Sequence, residues 1–526
     1  MDAAAQWHEG VIYPRWAASA HWGYGEPRFI FYPPVSWMLG AALGTILPWK
    51  IVPGVYCWLA LTLAGASMYW LAEGWLRPSD ALFAAIFYAL NPYHLLVIYW
   101  RSAFAELLGA ALAPLVLLFV ARLAKASLRT TLKLSMLLAA AWLINIPVAV
   151  MIHYSAAGLT LFVAAREKST RPLLRFVVAV LLGAGLAAVY LVPAIYEQRW
   201  VHIGEVLSLG VRPQDNYLFT NSTDPDHNHF NLLVSLVAAA ELAVLGWAIW
   251  SSRREPEGKA MWAPVASWGI ATAVLMFRFS NSLWEHLPEF RFAQLPFRWL
   301  LCVNVPLSFL LAMAGGGSGM RRWVTRSLAG IVLLATLVVG GWRTQLPWWV
   351  SGDDIEEMRT SVADETGNEG VYEYVPEAAD PDQLNKDLPQ VSDGAGANVE
   401  GEDRTDSTAS AGAHKPADSN LRNAQIEQWA ANDKKFRVFA QVRGRVLVRL
   451  FNYPDWEAKV NGHSVAASTT EQTGLILIPV EAGEDEVEIR FTRTGDQRVG
   501  AGISLLSVAL LAVGWRWTRT ASGGSA

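Results

Sequence analysis

The chain has 526 residues, 53% of them hydrophobic and only 17% charged, with a mean hydropathy of +0.25. That balance is too apolar for an ordinary soluble enzyme and calls for lipid as a solvent. A net charge of −4 with no concentrated basic face argues against nucleic acid as a partner.

The N-terminal MDAAAQWHEG has neither the basic region nor the apolar stretch of a signal peptide. Residues 1–34 read as an outer loop with short amphipathic helices, in which aromatic and charged groups alternate through EGVIYPRWAASAHWGYGEPRFIFYPP. An interfacial aromatic belt accounts for such a run in any membrane protein. The functional reading is an ordered loop over a polar cavity, with Trp16, Trp22 and Tyr24 stacking on a sugar or lipid headgroup and Arg28 holding phosphate through its planar fork.

A hydrocarbon core takes about 20 mostly apolar residues per helix. On that measure residues 35–343 form a multi-span domain, with crossings beginning near Pro53 to Ala72, Ser79 to Val97, Ala103 to Ala124, Leu132 to Val148, Met151 to Ala165 and Leu174 to Ile195. Further crossings are predicted at Leu232 to Trp250, Met261 to Phe279, Phe297 to Ala314 and Val324 to Trp342, and Val35 to Leu47 is apolar but short. Basic clusters at Arg122 to Arg129, Arg166 to Arg175, Arg253 to Lys259 and Arg321 to Arg326 mark the cytoplasmic side. Cys57 and Cys302 both fall within apolar segments, so neither a disulfide framework nor a zinc site is expected.

Residues 344–375 then form an outer segment, and the Asp, Gly, Ser and Asn-rich stretch 376–432 reads as a disordered polar insert. Residues 433–498 alternate as β-prone runs between Asn-Gly and Ala-Gly-Glu-Asp turns, which predicts a small antiparallel sandwich that also pairs with residues from Gly370 to Val375. Residues 499–517 form a last transmembrane helix and 518–526 a cytoplasmic tail. The predicted class is thus a polytopic α-helical membrane protein of about 11–12 transmembrane helices, with an extracytoplasmic β-sandwich inserted before the last.

Three further groups carry chemistry. Tyr99, Arg101 and Glu106 lie at a helix end, and Glu106 falls inside a span, where an ionisable side chain is expensive; an internal ion pair is the bland alternative. In the loop after Glu197, Asp224, Asp226 and His227 combine carboxylates with imidazole, a donor set suited to a divalent cation; a solvated acidic loop is the commoner outcome. Arg298, in WEHLPEFRFAQLPFRWL, opens an apolar helix where it either snorkels or holds an anion. No P-loop, serine nucleophile elbow, HExxH or dinucleotide-binding glycine pattern occurs in a sensible context.

The ordered series YPRW, GYGEPRFIFYPP, YWRSAFAE, QLPFRWL, YPDWEAKVNG and GLILIPVEAGEDEVEIRFTRT, followed by an apolar helix, resembles the bacterial YfhO-like membrane proteins, especially those called 6-pyruvoyl-tetrahydropterin synthase-related membrane domains. That label names no pterin chemistry. The resemblance covers nearly the whole chain and implies a GT-C-like glycosyltransferase of the bacterial cytoplasmic membrane, taking a sugar from a polyprenyl-phosphate donor to an envelope glycan or protein acceptor on the outer face. It implies Glu26 or Glu106 as acid or base, Arg28, Arg101 and Arg298 on the lipid phosphate, and Trp16, Trp22, Tyr24 and Tyr99 on substrate. A divalent cation is the one cofactor the residues raise. Relatives of this pattern open with a transmembrane helix ending in an Asp-x-x-x-His type motif, so the expectation here is either an upstream start or a chain inactive as a transferase. A flippase or transporter of lipid-linked glycans, or a structural envelope protein, is the alternative class.

Overall fold

The computed structural model describes residues 1–124, 127–314, 319–344, 351–364, 366–395, 397–399 and 421–523. The chain divides into two compact units: Met1–Tyr32 with Val192–Glu205 and Val350–Gly500, and Pro33–Leu191 with Val206–Trp349 and Ala501–Ala526.

The second unit is a helical bundle. Among the described residues, eight helices in the whole chain are long and apolar enough to cross a membrane, or up to ten if each of two sharply bent pairs is one crossing. The expected polytopic helical class is observed, with eight to ten such helices among the described residues against the 11–12 expected. The Pro34–Ile46 helix has 13 residues, about 20 Å at 1.5 Å per residue, against a core of about 30 Å. The Leu128–Ile144 helix has 17 residues and carries Arg129 and Lys133 in its first turns.

Proline sets many of the helix starts. Pro92, Pro147 and Pro225 stand in the first helical turn, where no N–H is needed. Asn91, Asn145 and Asp224 cap those same helices by accepting the amides of His94, Val148 and Asp226 at 2.9, 3.1 and 2.9 Å.

At the centre of the bundle every residue of Leu300–Met313 is buried, and this helix packs on the 225–252, 259–274 and 78–89 helices. Small residues permit the approach: a Cβ on Gly269 would stand 3.0 Å from Pro306, and one on Gly109 would stand 2.8 Å from Val148. The 74° bend after Leu186 has a defined cause. The Ser504 hydroxyl enters the gap, accepting the Val189 amide at 2.8 Å while lying 3.1 Å from the Leu186 carbonyl.

Not all the basic clusters simply face solvent or headgroups. Arg326 has no exposed side-chain surface and donates to Asp80 Oδ1 at 2.7 Å, while Arg322 donates to Oδ2 at 2.9 Å. These pairs tie the Gly319–Thr344 helix to the Pro78–Ala89 helix.

The first unit is built on two antiparallel sheets. Strands β1 (Val391–Asp393), β2 (Leu421–Ala430), β3 (Asp433–Ala440), β4 (Gly444–Phe451), β5 (Trp456–Val460), β6 (His463–Val465), β7 (Ser468–Thr469), β8 (Leu475–Val480) and β9 (Gly483–Phe491) are arranged as β1-β4-β8-β7 and β2-β3-β9-β5-β6. Alternation buries Phe436, Val438 and Ala440 from β3 and Val487, Ile489 and Phe491 from β9 on one face. Asn461 and Gly462, at φ +50° and +79°, turn β5 into β6 as the Asn-Gly signal predicts.

Two boundaries differ from expectation. The stretch 376–432 is not wholly a polar insert: β1 and all of β2 lie within it, and its residues 400–420 fall outside the described residues. Strand β2 is an edge strand with Asn423, Gln425, Glu427 and Gln428 exposed, so its composition reads as loop although its backbone pairs with β3. Residues 370–375 supply no strand. Tyr372–Tyr374 forms a short 3₁₀ turn, and Tyr374 and Val375 enter the sandwich core.

Candidate functional site

In the bundle, the Pro92–Tyr99 helix ends at Trp100 and the chain reverses through Ser102, at φ +46°, before the next helix begins at Phe104. Arg101 falls in that break and Glu106 in the first turn beyond it. The Pro296–Trp299 turn, which opens the central helix, supplies Arg298. Arg101 Nη1 lies 2.8 Å and Arg298 Nε 3.1 Å from the same atom, Glu106 Oε2, while the Tyr93 hydroxyl donates to Oε1. Gln294, held at φ +61°, accepts from Arg298 Nη1 at 2.6 Å and donates to the Val206 carbonyl at 2.9 Å. The Arg101 guanidinium also stands 5.4 Å over the Phe297 ring.

The Glu106 side chain is 2% exposed, those of Arg101 and Arg298 10% and 13%. Two guanidiniums against one carboxylate leave this cluster a formal charge of +1, with both cations reaching the surface of the unit. Both oxygens of Glu106 already accept donors, so it acts as counter-ion and orienter of the arginines rather than as an open base. Tyr99 does not join them: it is 56% exposed. Its place is taken by Tyr93, which the sequence reading passed over although it stands two positions after the Asn91 cap on the same helix.

In the sandwich unit, Glu26 is fully buried. Its Oε1 accepts from Arg28, and its Oε2 from the Val371 amide at 2.9 Å, with His21 Nε2 also 2.9 Å away. Arg28 keeps 30% of its side chain exposed and is the accessible cation of this group. Nearby, burial raises the Glu373 carboxyl above the ordinary range, opposed by the Arg28 charge.

The aromatic platform is corrected. Trp16 and Tyr24 have no exposed surface. Trp16 packs edge-on to Trp456 at 5.3 Å and against Phe491 at 5.5 Å, and the Tyr24 hydroxyl donates to the Asn385 carbonyl at 2.7 Å. Both are sandwich core and offer no face to a sugar. Trp22 retains surface, and the Lys386 ammonium stands 3.7 Å from its ring centroid.

The metal expectation is also corrected. Among the described residues no three or more His, Cys, Asp or Glu side chains converge as an ion site. Asp224 is committed to its helix cap and His227 Nε2 lies 3.2 Å from the Asp215 carbonyl, while Asp226 is exposed at the start of the same helix.

Two further buried acid groups lie outside the sequence-predicted site residues. Asp455 Oδ2 accepts from Gln497 Nε2 at 2.7 Å and lies 3.4 Å from Arg15, while Glu197 accepts from the same Gln497 nitrogen at 3.1 Å and from Tyr453 at 2.8 Å. Burial pushes the Asp455 carboxyl up to about 6, with Asp496 adding to the rise and Gln497 and Arg15 opposing it. In the bundle, Glu241 has no exposed surface and its Oε2 accepts from Asn304 Nδ2 at 2.9 Å. Its position in a single long apolar run, VSLVAAAELAVLGW, was the available signal.

A comparison with curated proteins finds no match. Among solved structures, the cryo-EM structure of the arabinofuranosyltransferase AftD from Mycobacteria is similar at 19% identity and a TM-score of 0.39, over 66% of this chain and 25% of that one. The chain therefore spans a quarter of that protein's length. The family model described as "6-pyruvoyl-tetrahydropterin synthase related domain; membrane protein" matches residues 29–347, more than half of the chain. With its apolar helices, the protein belongs to this family of 6-pyruvoyl-tetrahydropterin synthase related membrane proteins.

Proposed function

We propose that the protein is a GT-C-like membrane glycosyltransferase that binds the phosphate of a polyprenyl-phosphate-linked sugar and passes the sugar to an envelope acceptor on the outer face. The observation that carries this reading is the convergence of Arg101 and Arg298 on the single buried carboxylate of Glu106. A guanidinium pair with one shared counter-ion keeps its planar donors oriented and retains a net positive charge, the arrangement suited to a phosphate monoester or diester. A lipid-linked donor keeps its tail in the bilayer while such a seat takes its headgroup.

In the transfer, the acceptor hydroxyl oxygen bonds to the anomeric carbon as the carbon–oxygen bond to the lipid phosphate breaks. The hydroxyl proton passes to a base, and the electron pair leaves with the phosphate, whose charge Arg101 and Arg298 stabilise. Arg28, beside Glu26, is a second candidate anion contact on the sandwich unit. The basic loop clusters support an outward placement of that unit.

A second reading is favoured by one observation: every oxygen of Glu106 is engaged, which suits a seat that binds lipid phosphate without chemistry, as a flippase requires. Purified protein in vesicles separates them. A transferase consumes a polyprenyl-phospho-sugar in the presence of acceptor, whereas a flippase only redistributes it between leaflets. Unchanged donor consumption in Arg101→Ala and Arg298→Ala would remove this seat from the transferase role, and unchanged redistribution between leaflets would remove it from the flippase role.

A further inference from the structure

The sandwich unit holds a separate polar cavity of about 140 Å³, lined among others by Asp2, Gln6, Glu9, Trp429, Lys434 and Arg449. At ~30 Å³ per liquid water, that is room for roughly four or five waters, the scale of one small polyhydroxylated ring or its edge rather than an extended chain. Its charges balance, two acidic against two basic, and each is engaged by the protein. Asp2 accepts from the Ser19 hydroxyl at 3.1 Å and Glu9 from the Ala431 amide at 3.0 Å. Lys434 donates to the Ala431 carbonyl and Arg449 to the Leu388 carbonyl, each at 3.3 Å.

What remains is a small set of unmet hydrogen-bonding groups. Among the described residues, three atoms of the lining are buried without a partner, Gln6 Oε1, Trp16 Nε1 and Arg449 Nε, and Gln6 as a whole is 1% exposed. The first is an acceptor and the other two are donors. A hydroxyl group both donates and accepts, so vicinal hydroxyls meet both kinds, whereas an anion meets only donors and a cation only acceptors. Trp429 is half-buried beside them, with the Lys434 ammonium 5.2 Å from its ring centroid. An indole in such a wall offers an apolar face to the C–H side of a sugar ring.

We infer that this cavity is a carbohydrate-binding subsite for a single uncharged sugar residue, independent of the arginine seat in the bundle. The test is saturation-transfer NMR on the full chain in detergent with neutral methyl glycosides of arabinose, mannose, galactose and glucose, with sodium acetate and methylammonium chloride as competitors. Expected is transfer to at least one glycoside, not displaced by either ion, and weakened about tenfold in Gln6→Ala and in Trp429→Ala. Arg101→Ala should bind the glycoside as the parent does, which separates this site from the donor seat. Thermal melting checks each variant, and Gln6→Ala carries the test if Trp429→Ala fails to fold. The inference is overturned if no glycoside shows transfer, if acetate or methylammonium displaces it, or if folded Gln6→Ala binds like the parent.

Discussion

Arg298 and Arg101, far apart in the bundle sequence, place one nitrogen each within 3.1 and 2.8 Å of a single oxygen of Glu106. The asymmetry of this group, two cations on one anion, governs how it responds to substitution. Removing either arginine leaves a balanced pair, whereas removing the carboxylate leaves two buried guanidiniums facing each other.

Glu106→Ala is therefore expected to lower stability by about 3–5 kcal/mol, the scale of an uncompensated buried charge, and Arg101→Ala by distinctly less. Thermal melting of the purified variants in one detergent checks the order. Equal losses would mean that the three side chains do not act as a group.

Asp455 gives a pH dependence of definite sign. Its carboxyl is raised from 3.8 to about 6 in the folded protein, so the native state holds a proton that the unfolded chain releases. Its stabilising effect is full below pH 4 and is lost as pH rises toward 6, by up to about 3 kcal/mol at ~1.4 kcal/mol per pH unit. Asp455→Asn should flatten melting temperature against pH over this interval. A parent melting temperature that rises steadily from pH 4 to 6, with Asp455→Asn following it in parallel, would contradict the assignment.

Trp16 and Trp22, two of the three indoles of the first 34 residues, should behave oppositely. Trp16→Ala empties a buried site and is expected to cost about 3–5 kcal/mol, while Trp22→Ala, at a position with surface left, should cost about 1 kcal/mol or less. Melting or limited proteolysis of the sandwich unit reads the difference.

Asp224→Ala should cost about 1 kcal/mol through the lost cap of the Pro225–Ser252 helix. Chelation by EDTA should leave the parent melting temperature unchanged, since Asp224, Asp226 and His227 do not converge. A chelator-sensitive transition abolished by Asp224→Ala would restore the metal reading.

Much of the architecture was legible because it rests on local pattern. The apolar runs located the crossings from Val52 to Ala72 and from Pro225 to Ser252, and alternation in RVFAQVRGRVLVRLF announced β3 and β4. Leu128–Ile144 forms a helix of 17 residues, because apolarity locates a segment without measuring its length. Strand β2 was missed because an edge strand needs little apolar surface. Arg101, Glu106 and Arg298 were each legible as costly charges beside apolar spans, but their partners were not, and Tyr93 and Glu241 went unremarked.

The sequence by itself determined that this protein needs lipid, where its apolar helices run and that a sandwich precedes the last of them, because hydrophobic periodicity is written within a dozen neighbouring residues. Only the tertiary structure decided which acid meets which arginine and whether an aromatic ring is a platform or core. Trp16 and Trp22 differ little as sequence, yet one is sealed under Trp456 and Phe491 and the other keeps surface. Burial and convergence are set by residues hundreds of positions away, and no local pattern records them.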